Sequence, residues 1–212
     1  MANTYVCGDI HGMYDLLIKS LNDLNFNYEA DILYCTGDLI DRGPDSYKVL
    51  QLIKEPWFRT VRGNHEQMLI ENFDPIYSYS SRQLHYQNGG AWFFDITNEQ
   101  AKECFQLVSA LPLHLDFELN GKKIGIIHAD PPYTDWNLIK DFSEINKVQQ
   151  QLIWGRTKIS SLDDSIIKNI DYVFLGHTIL DTVITLGNCI YIDTGAYHYN
   201  NLTIIKLNDV IH

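Results

Sequence analysis

The sequence has no apolar run that approaches the 18 or more residues needed to cross a bilayer. Residues 1–5 include neither the basic segment nor the apolar stretch of a signal peptide. The four cysteines, Cys7, Cys35, Cys104 and Cys189, form no C-x-x-C pair, which argues against a zinc knot or a thioredoxin-type site. We therefore expect reduced thiols, a cytoplasmic location and no membrane partner.

Basic side chains are also scarce. The chain has 16 Lys and Arg against 27 Asp and Glu, which gives a formal net charge of -11. Because an acidic protein binds polyanions poorly, we expect no nucleic-acid partner. The charge does not exclude a small phosphate substrate, since two bound divalent cations would dominate the local field.

The length of 212 residues predicts a single domain that spans residues 1–212. In the first third of the chain, apolar runs with strand character alternate with segments of helical spacing. The predicted strands lie at 4–7, 31–36 and 59–62, and the predicted helices lie at 13–24, at 46–54 and through 68–73. This alternation predicts an α/β layer with a mainly parallel sheet.

The second half of the chain is rich in predicted strands. They lie at 114–119, 123–127, 172–175, 189–192 and 202–207, with helices predicted at 99–110, 142–152 and 161–170. We expect a second sheet packed on the first, and therefore a mixed α/β (α+β) fold class.

Residues 74–92 break this pattern with a long polar stretch, which predicts a functional rim or a mobile segment. Its tyrosines, Tyr77, Tyr79 and Tyr86, suit either a peptide-binding rim or the packing of the loop, and packing is favoured. We expect His85 at the surface.

Three glycine-flanked fragments follow predicted strands: residues 8–12 (Gly-Asp-Ile-His-Gly), 37–43 (Gly-Asp-Leu-Ile-Asp-Arg-Gly) and 62–66 (Arg-Gly-Asn-His-Glu). Two further histidines follow later strands. Ligands in open α/β sheets bind beyond the carboxyl ends of strands, where all these side chains lie. Oxygen and imidazole donors suit two divalent ions such as manganese, iron or zinc, so we predict a dinuclear site made by Asp9, His11, Asp38, Asn64, His128 and His177.

These fragments, with residues 57–59, 88–94, 154–156 and 191–195, resemble the calcineurin-like metallophosphoesterases, specifically the phosphoprotein phosphatase branch and its small bacterial and bacteriophage members. The resemblance covers residues 4–207 and implies two packed β-sheets flanked by helices, a four-layer sandwich. It implies that Asp9 and His11 bind the first metal and that Asp38 bridges both. Asn64, His128 and His177 would bind the second.

The resemblance also implies that Arg42, Arg62 and Arg156 hold the phosphate, which suits the planar fork of guanidinium. His65 would be the general acid, oriented by Asp41. The alternative for His65 is a hydrogen bond that only supports the metal ligands.

We therefore expect an enzyme that hydrolyses Ser/Thr phosphate monoesters on proteins or peptides by direct attack of a hydroxide bridging two metals, with manganese favoured. The alternatives are a symmetrical dinucleoside tetraphosphatase, a small phosphomonoesterase and, less favoured, a non-catalytic scaffold. The tetraphosphatases carry Ala-Arg-Gly-Pro and Gly-Asn-His-Asp. This chain has Asp41-Arg42-Gly43-Pro44 and Gly63-Asn64-His65-Glu66, which favours the protein phosphatase.

Overall fold

The computed structural model of the protein describes residues 2–74, 76 and 79–211. The strands are β1 (Thr4–Cys7), β2 (Ile32–Cys35), β3 (Phe58–Thr60), β4 (His114–Leu119), β5 (Lys122–Ile127), β6 (Tyr172–Leu175), β7 (Ile184–Leu186), β8 (Cys189–Tyr191) and β9 (Ile204–Lys206). The α-helices are α1 (Tyr14–Asp23), α2 (Ser46–Gln51), α3 (Asn64–Phe73), α4 (Tyr79–Gln87), α5 (Asn98–Ser109), α6 (Trp136–Phe142), α7 (Asn146–Trp154), α8 (Thr157–Ser161) and α9 (Ala196–Tyr199). Short 3₁₀ helices lie at Leu52–Lys54, Gly90–Phe94 and Leu207–Asp209.

The strands form two sheets. The first has the order β3-β2-β1-β9, with β9 antiparallel to β1 and the other pairs parallel. The second has the order β4-β5-β6-β8-β7, in which β5, β6 and β8 run parallel and the two edge strands run antiparallel. In each sheet the carboxyl ends of the parallel strands lie together at one edge.

Alternating side chains along the strands separate three apolar clusters. Tyr5 and Cys7 of β1 face α1, α2 and α5 on the outside of the first sheet. Val6, between them, packs with Ile126 and Phe174 in the layer between the two sheets. The other faces of β5, β6 and β8 pack against α6, α7 and α8. The predicted fold class, two packed sheets flanked by helices, is confirmed.

Most predicted elements are confirmed, and the bounds of β1, β4 and β6 agree with the prediction. The prediction of a helix at 161–170 is wrong. Leu162 adopts a left-handed φ of 52° and ends α8 there. The buried Lys158 Nζ then donates hydrogen bonds to the carbonyl oxygens of Asp163 and Ser165, so the backbone curls around the ammonium group instead of continuing as a helix.

The helix predicted at 142–152 is also displaced. The structure has α6 ending at Phe142 and α7 starting at Asn146, and the Ser143 hydroxyl donates to the Lys140 carbonyl at the break. Neither β7 nor α9 was predicted. Both are short elements, of three and four residues, with little periodicity to detect.

The segment 74–92 is more regular than predicted, since it contains α4 and the start of the Gly90–Phe94 turn. Tyr79 is 81% exposed, so the favoured packing role is wrong for it. Tyr86 is 58% exposed, but its ring packs edge-on against Phe94. Tyr77 lies outside the described residues. The four cysteines are free and buried, and among the described residues no helix is long and apolar enough to cross a bilayer.

Candidate functional site

Most of the predicted site residues lie in loops that follow β1, β2 and β3 of the first sheet and β5 and β6 of the second. Asn64 and His65 begin α3 directly after the β3 loop, and Arg156 lies between α7 and α8. Glycines let these loops meet. A Cβ at Gly8 would lie 2.6 Å from the carbonyl oxygen of Ile192, and one at Gly176 would collide with the carboxylate of Asp9. The close approach of the two sheets at this edge therefore depends on residues without side chains.

Several of the site residues have strained backbones. The φ angles are positive at His11 (45°), Asp38 (48°), Asp41 (73°), Arg42 (69°) and His177 (66°). A non-glycine residue in this region costs on the order of 1–3 kcal/mol and persists only where surrounding contacts impose it. Because five such positive φ angles occur at the site, we infer that the fold holds these side chains in fixed directions for a function.

The first cluster consists of His11, Asp38 and His65, all buried, with ligand atoms within 4.8 Å of one another. His11 Nδ1 donates to the carbonyl oxygen of Ile40 at 2.9 Å, so its Nε2 carries a lone pair that faces the cluster. Arg42 Nη1 lies 2.7 Å from that Nε2. Burial, together with His65 and Arg42, lowers the pKa of His11 to about 3 although Asp38 opposes the shift.

The second cluster consists of Asp38, His128 and His177, with Asn64 beside them. His128 Nδ1 donates to the Thr36 carbonyl at 2.8 Å, which leaves the lone pair of Nε2 pointing inwards. That nitrogen lies 2.9 Å from Asn64 Oδ1, 3.2 Å from His177 Nδ1 and 3.4 Å from Asp38 Oδ2.

The acceptor atoms of the second cluster therefore point at one another, and a positive charge between them would stabilise this arrangement. Burial alone would lower the pKa of His128, but Asp38 and Asp9 outweigh burial and raise the pKa to about 10. A divalent cation would supply positive charge at this position in place of that proton. His177 Nε2 is also buried and has no hydrogen-bond partner among the described residues. These donors fit a metal ion.

Asp9 is buried beside the clusters without being a member of either. Its Oδ1 accepts the hydroxyl of Thr36 and its Oδ2 accepts the backbone N–H of His177, both at 2.8 Å. Burial and the nearby carboxylates of Asp193 and Asp38 raise its pKa well above the usual range. Like charges crowded in this way favour a bound cation.

The predicted pairing of His65 and Asp41 is present, with His65 Nδ1 2.7 Å from Asp41 Oδ2. Trp92 Nε1 donates to Asp41 Oδ1 at 2.7 Å, and His85 Nε2 lies 3.1 Å from the same oxygen. Burial raises the pKa of Asp41, but the hydrogen bonds from His65 and His85 outweigh burial and hold it at about 2. The surface placement expected for His85 is wrong, because its ring is fully buried against this carboxylate.

The three predicted arginines occupy different positions. Arg42 contacts the first cluster, with Nη2 3.0 Å from His65 Nε2. Arg156 reaches the second cluster only through the carbonyl oxygen of His177, at 3.5 Å. The guanidinium of Arg62 donates to the carbonyl oxygens of Ser109 and Leu111, at 3.1 and 3.0 Å, so those contacts direct it to the segment between α5 and β4.

Sequence reasoning assigned no role to Glu66, which is fully buried. Its carboxylate accepts the backbone N–H groups of Asp38 (3.0 Å), Leu39 (2.8 Å) and Gly63 (2.8 Å). Burial and the charge of Asp38 raise its pKa to about 7. Its position two residues after Asn64, at the start of α3, was the available signal.

Asp130 has a similar supporting position near Arg156. Its Oδ2 accepts the backbone N–H of Lys158 at 2.8 Å, and its Oδ1 accepts the Tyr191 hydroxyl at 3.0 Å. Asp130 thereby anchors the first turn of α8, directly after Arg156.

The fold and the two clusters describe an α/β protein whose two sheets meet at buried groups of His and Asp side chains that could hold metal ions. The family model for calcineurin-like phosphoesterases matches residues 2–181, and the chain belongs to this family of metallophosphoesterases. It is 35% identical over 209 residues to Serine/threonine-protein phosphatase 2 of Escherichia coli (strain K12), covering 96% of this chain and 92% of that protein.

Two other relatives are similar in different ways. The symmetrical bis(5'-nucleosyl)-tetraphosphatase of Proteus mirabilis (strain HI4320) is 44% identical over 75 residues, which cover 34% of this chain and 28% of that protein. The crystal structure of a proposed diadenosine tetraphosphatase superimposes with a TM-score of 0.66 at 19% identity, covering 95% of this chain and 87% of that one. At that identity the superposition supports the fold alone.

Proposed function

We propose that this protein is a metal-dependent phosphatase that removes phosphate from serine and threonine side chains of proteins or peptides. The observation that carries the proposal is one carboxylate, Asp38, shared by two histidine clusters, with the Asp41–His65 pair beside it. The near full-length similarity to a protein named as a serine/threonine phosphatase supports this choice of substrate. We also propose that residues 1–212 act as one domain, because the core between the sheets joins the two halves.

The proposed metal ligands are Asp9, His11 and Asp38 for one ion and Asp38, Asn64, His128 and His177 for the other. Two bound divalent ions, with manganese our choice for an assay, would neutralise phosphate charge and provide a water activated at neutral pH. Iron and zinc suit the same oxygen and nitrogen donors. The remaining chemistry belongs to side chains of the chain itself.

Arg42 links phosphate binding to proton donation in this proposal. Its guanidinium lies 2.7 Å from His11 Nε2 and 3.0 Å from His65 Nε2. Guanidinium binds phosphate oxygens through two parallel hydrogen bonds, so the phosphate of the substrate would draw Arg42 away from His65. His65 Nε2 would then be free to carry a proton to the leaving oxygen, while Asp41 holds Nδ1–H.

Arg156 is proposed as a second phosphate ligand because it already lies beside His177. Arg62 keeps its proposed role only if it exchanges its carbonyl contacts at Ser109 and Leu111 for phosphate. The main-chain contacts make Arg62 the weakest of the three assignments.

A symmetrical dinucleoside tetraphosphatase is the second candidate function, since relatives with that name match one third of the chain at higher identity. This match covers one third of the chain, so it supports the tetraphosphatase less than the near full-length match supports a protein substrate. The protein substrate remains the favoured proposal.

The test compares phosphate release from a phosphoserine peptide with turnover of diadenosine tetraphosphate. Chelator-stripped protein is used with and without manganese. We expect manganese-dependent release from the peptide and little turnover of the dinucleotide. The reverse preference would assign the site to nucleotide hydrolysis. Absence of turnover on both, with two metals bound, would contradict a general phosphatase function.

A further inference from the structure

Asp41 receives more hydrogen bonds than its pairing with His65 requires. It is fully buried, and one of its oxygens, Oδ2, accepts from His65. The other oxygen, Oδ1, faces Trp92 Nε1 at 2.7 Å and His85 Nε2 at 3.1 Å. Both of these donors come from residues 79–94, a segment outside the proposed metal ligands.

The tautomer of His85 follows from its two neighbours. A carboxylate oxygen only accepts hydrogen bonds, so His85 Nε2 must carry the proton that faces Asp41. On the other side of the ring, Nδ1 lies 2.7 Å from Asn72 Nδ2, on α3. The amide of Asn72 donates to Nδ1 and thereby fixes the orientation of the ring. Asn72 and His85 form a buried chain that ends on Asp41.

Two glycines allow this segment to close on the site. Gly89 has a φ of +100°, and its carbonyl oxygen accepts the backbone N–H of Arg42 at 3.2 Å. A Cβ at Gly89 would lie 2.6 Å from that same nitrogen, and a Cβ at Gly90 would collide with the ring of His85. Side chains at these two positions would push the segment away from Arg42 and Asp41.

We propose that His85 and Trp92 are positioning residues for the proton donor of the reaction. By holding Asp41 Oδ1 in place, they fix the plane of the carboxylate and keep Oδ2 directed at His65 Nδ1. His65 then presents Nε2 to the leaving oxygen in one orientation. This inference rests on the proposed function, and it adds that the 79–94 segment completes the proton-donating group without touching metal or phosphate.

A positioning role of this kind affects only reactions that need a proton on the leaving group. The test therefore measures kcat and KM on two substrates. One is a phosphoserine peptide, which has a poor leaving group, and the other is 2,4-dinitrophenyl phosphate, which has a good one. Trp92→Phe keeps an aromatic ring but loses the N–H donor. We expect its kcat on the peptide to fall ~10-fold, which is a part of the ~10²–10⁴-fold rate enhancement that a general acid supplies. The kcat on dinitrophenyl phosphate and both KM values should stay within about 2-fold of wild type.

Substitutions at position 85 provide the matched comparison. His85→Leu should give the same selective loss. His85→Gln, whose amide nitrogen can replace the N–H donor to Asp41, should restore most of the peptide turnover. The control is Gln83→Leu, at an exposed position on the same helix, which should leave both substrates unaffected. Bound metal should remain equal to wild type in every variant.

A second readout is independent of activity. In ¹⁵N-edited NMR spectra of histidine side chains, the Nδ1–H signal of His65 should shift in Trp92→Phe and keep its wild-type position in Gln83→Leu. An equal loss on both substrates, or no loss on either with an unmoved His65 signal, would overturn the inference. A wild-type protein inactive on every phosphoester would refute the proposed function, while the NMR comparison would still decide whether residue 92 positions His65.

Discussion

The two clusters that share Asp38 differ in the source of their positive charge. On the side of His11 and His65, the guanidinium of Arg42 lies 2.7 and 3.0 Å from the two Nε2 atoms. On the side of His128, Asn64 Oδ1 and Asp38 Oδ2 approach Nε2, and Arg156 reaches only a main-chain oxygen of His177. One side thus has a guanidinium against its ring nitrogens, whereas the oxygens of Asn64 and Asp38 face the ring nitrogen on the other side.

The pKa shifts express the same difference. Burial and the adjacent Arg42 and His65 lower the pKa of His11 to about 3, whereas Asp38 and Asp9 outweigh burial and raise that of His128 to about 10. A metal at His128 replaces a firmly held proton, so its binding should weaken as the pH falls. At His11 the nearby positive charge is the guanidinium of Arg42. The comparison teaches that one carboxylate, that of Asp38, lies between two electrostatically unequal groups of histidines.

The largest expected effect comes from removing the residue common to both sides. In Asp38→Asn the negative charge that faces His11, His65 and His128 is lost. We expect metal to be lost from both positions and kcat/KM to fall at least ~10³-fold. Metal analysis after gel filtration and steady-state kinetics check this, with the exposed Asp141→Asn as control. Retention of two metals would refute the bridging role.

A substitution on one side alone sharpens the comparison. His65→Asn should lower kcat ~10²-fold or more because the proton donor is lost, while both metals remain bound. The exposed His198→Asn, also a histidine substitution, should have no effect. Loss of one metal equivalent in His65→Asn would mean that His65 is a ligand of the first cluster. Unchanged turnover would remove its proposed role as the acid.

The sequence could predict which residues meet at the site but not the direction of every side chain. The six proposed ligands each follow a strand, and strand ends meet at one edge, so their convergence was predictable from apolar runs and glycines. The direction of a long side chain was not, because Arg62 finds carbonyl partners near residue 110 that no local pattern specifies. The same limit applies to the loop around Lys158, where a buried ammonium group replaces the predicted helix.

His85 shows the limit most clearly. Its polar neighbours in sequence predicted a surface position, because only the folded structure brings Asp41 and Asn72 to either side of its ring. A burial cost that would exclude a lone histidine from the core is offset by two hydrogen bonds. Long-range pairing of this kind determines where polar residues lie and leaves no periodic signal in the sequence.

The smallest expected effect concerns the backbone that carries Asp38. Glu66 accepts N–H groups from Asp38, Leu39 and Gly63, and Gly63 precedes the proposed ligand Asn64. In Glu66→Gln the side-chain NH₂ must face at least one of these N–H groups, which leaves a buried donor unsatisfied. We expect the free energy of unfolding to fall by ~1–3 kcal/mol, measured by urea denaturation.

Because Glu66 supports both the turn that carries Asp38 and the turn that precedes Asn64, its substitution should weaken metal binding at both positions, in contrast to His65→Asn. Glu118→Gln provides the matched control, since this exposed residue of β4 should change stability by less than about 0.5 kcal/mol. Unaltered stability in Glu66→Gln would show that the amide oxygen alone satisfies the turn. The two clusters would then depend on Asp38 itself and not on the carboxylate that holds its backbone.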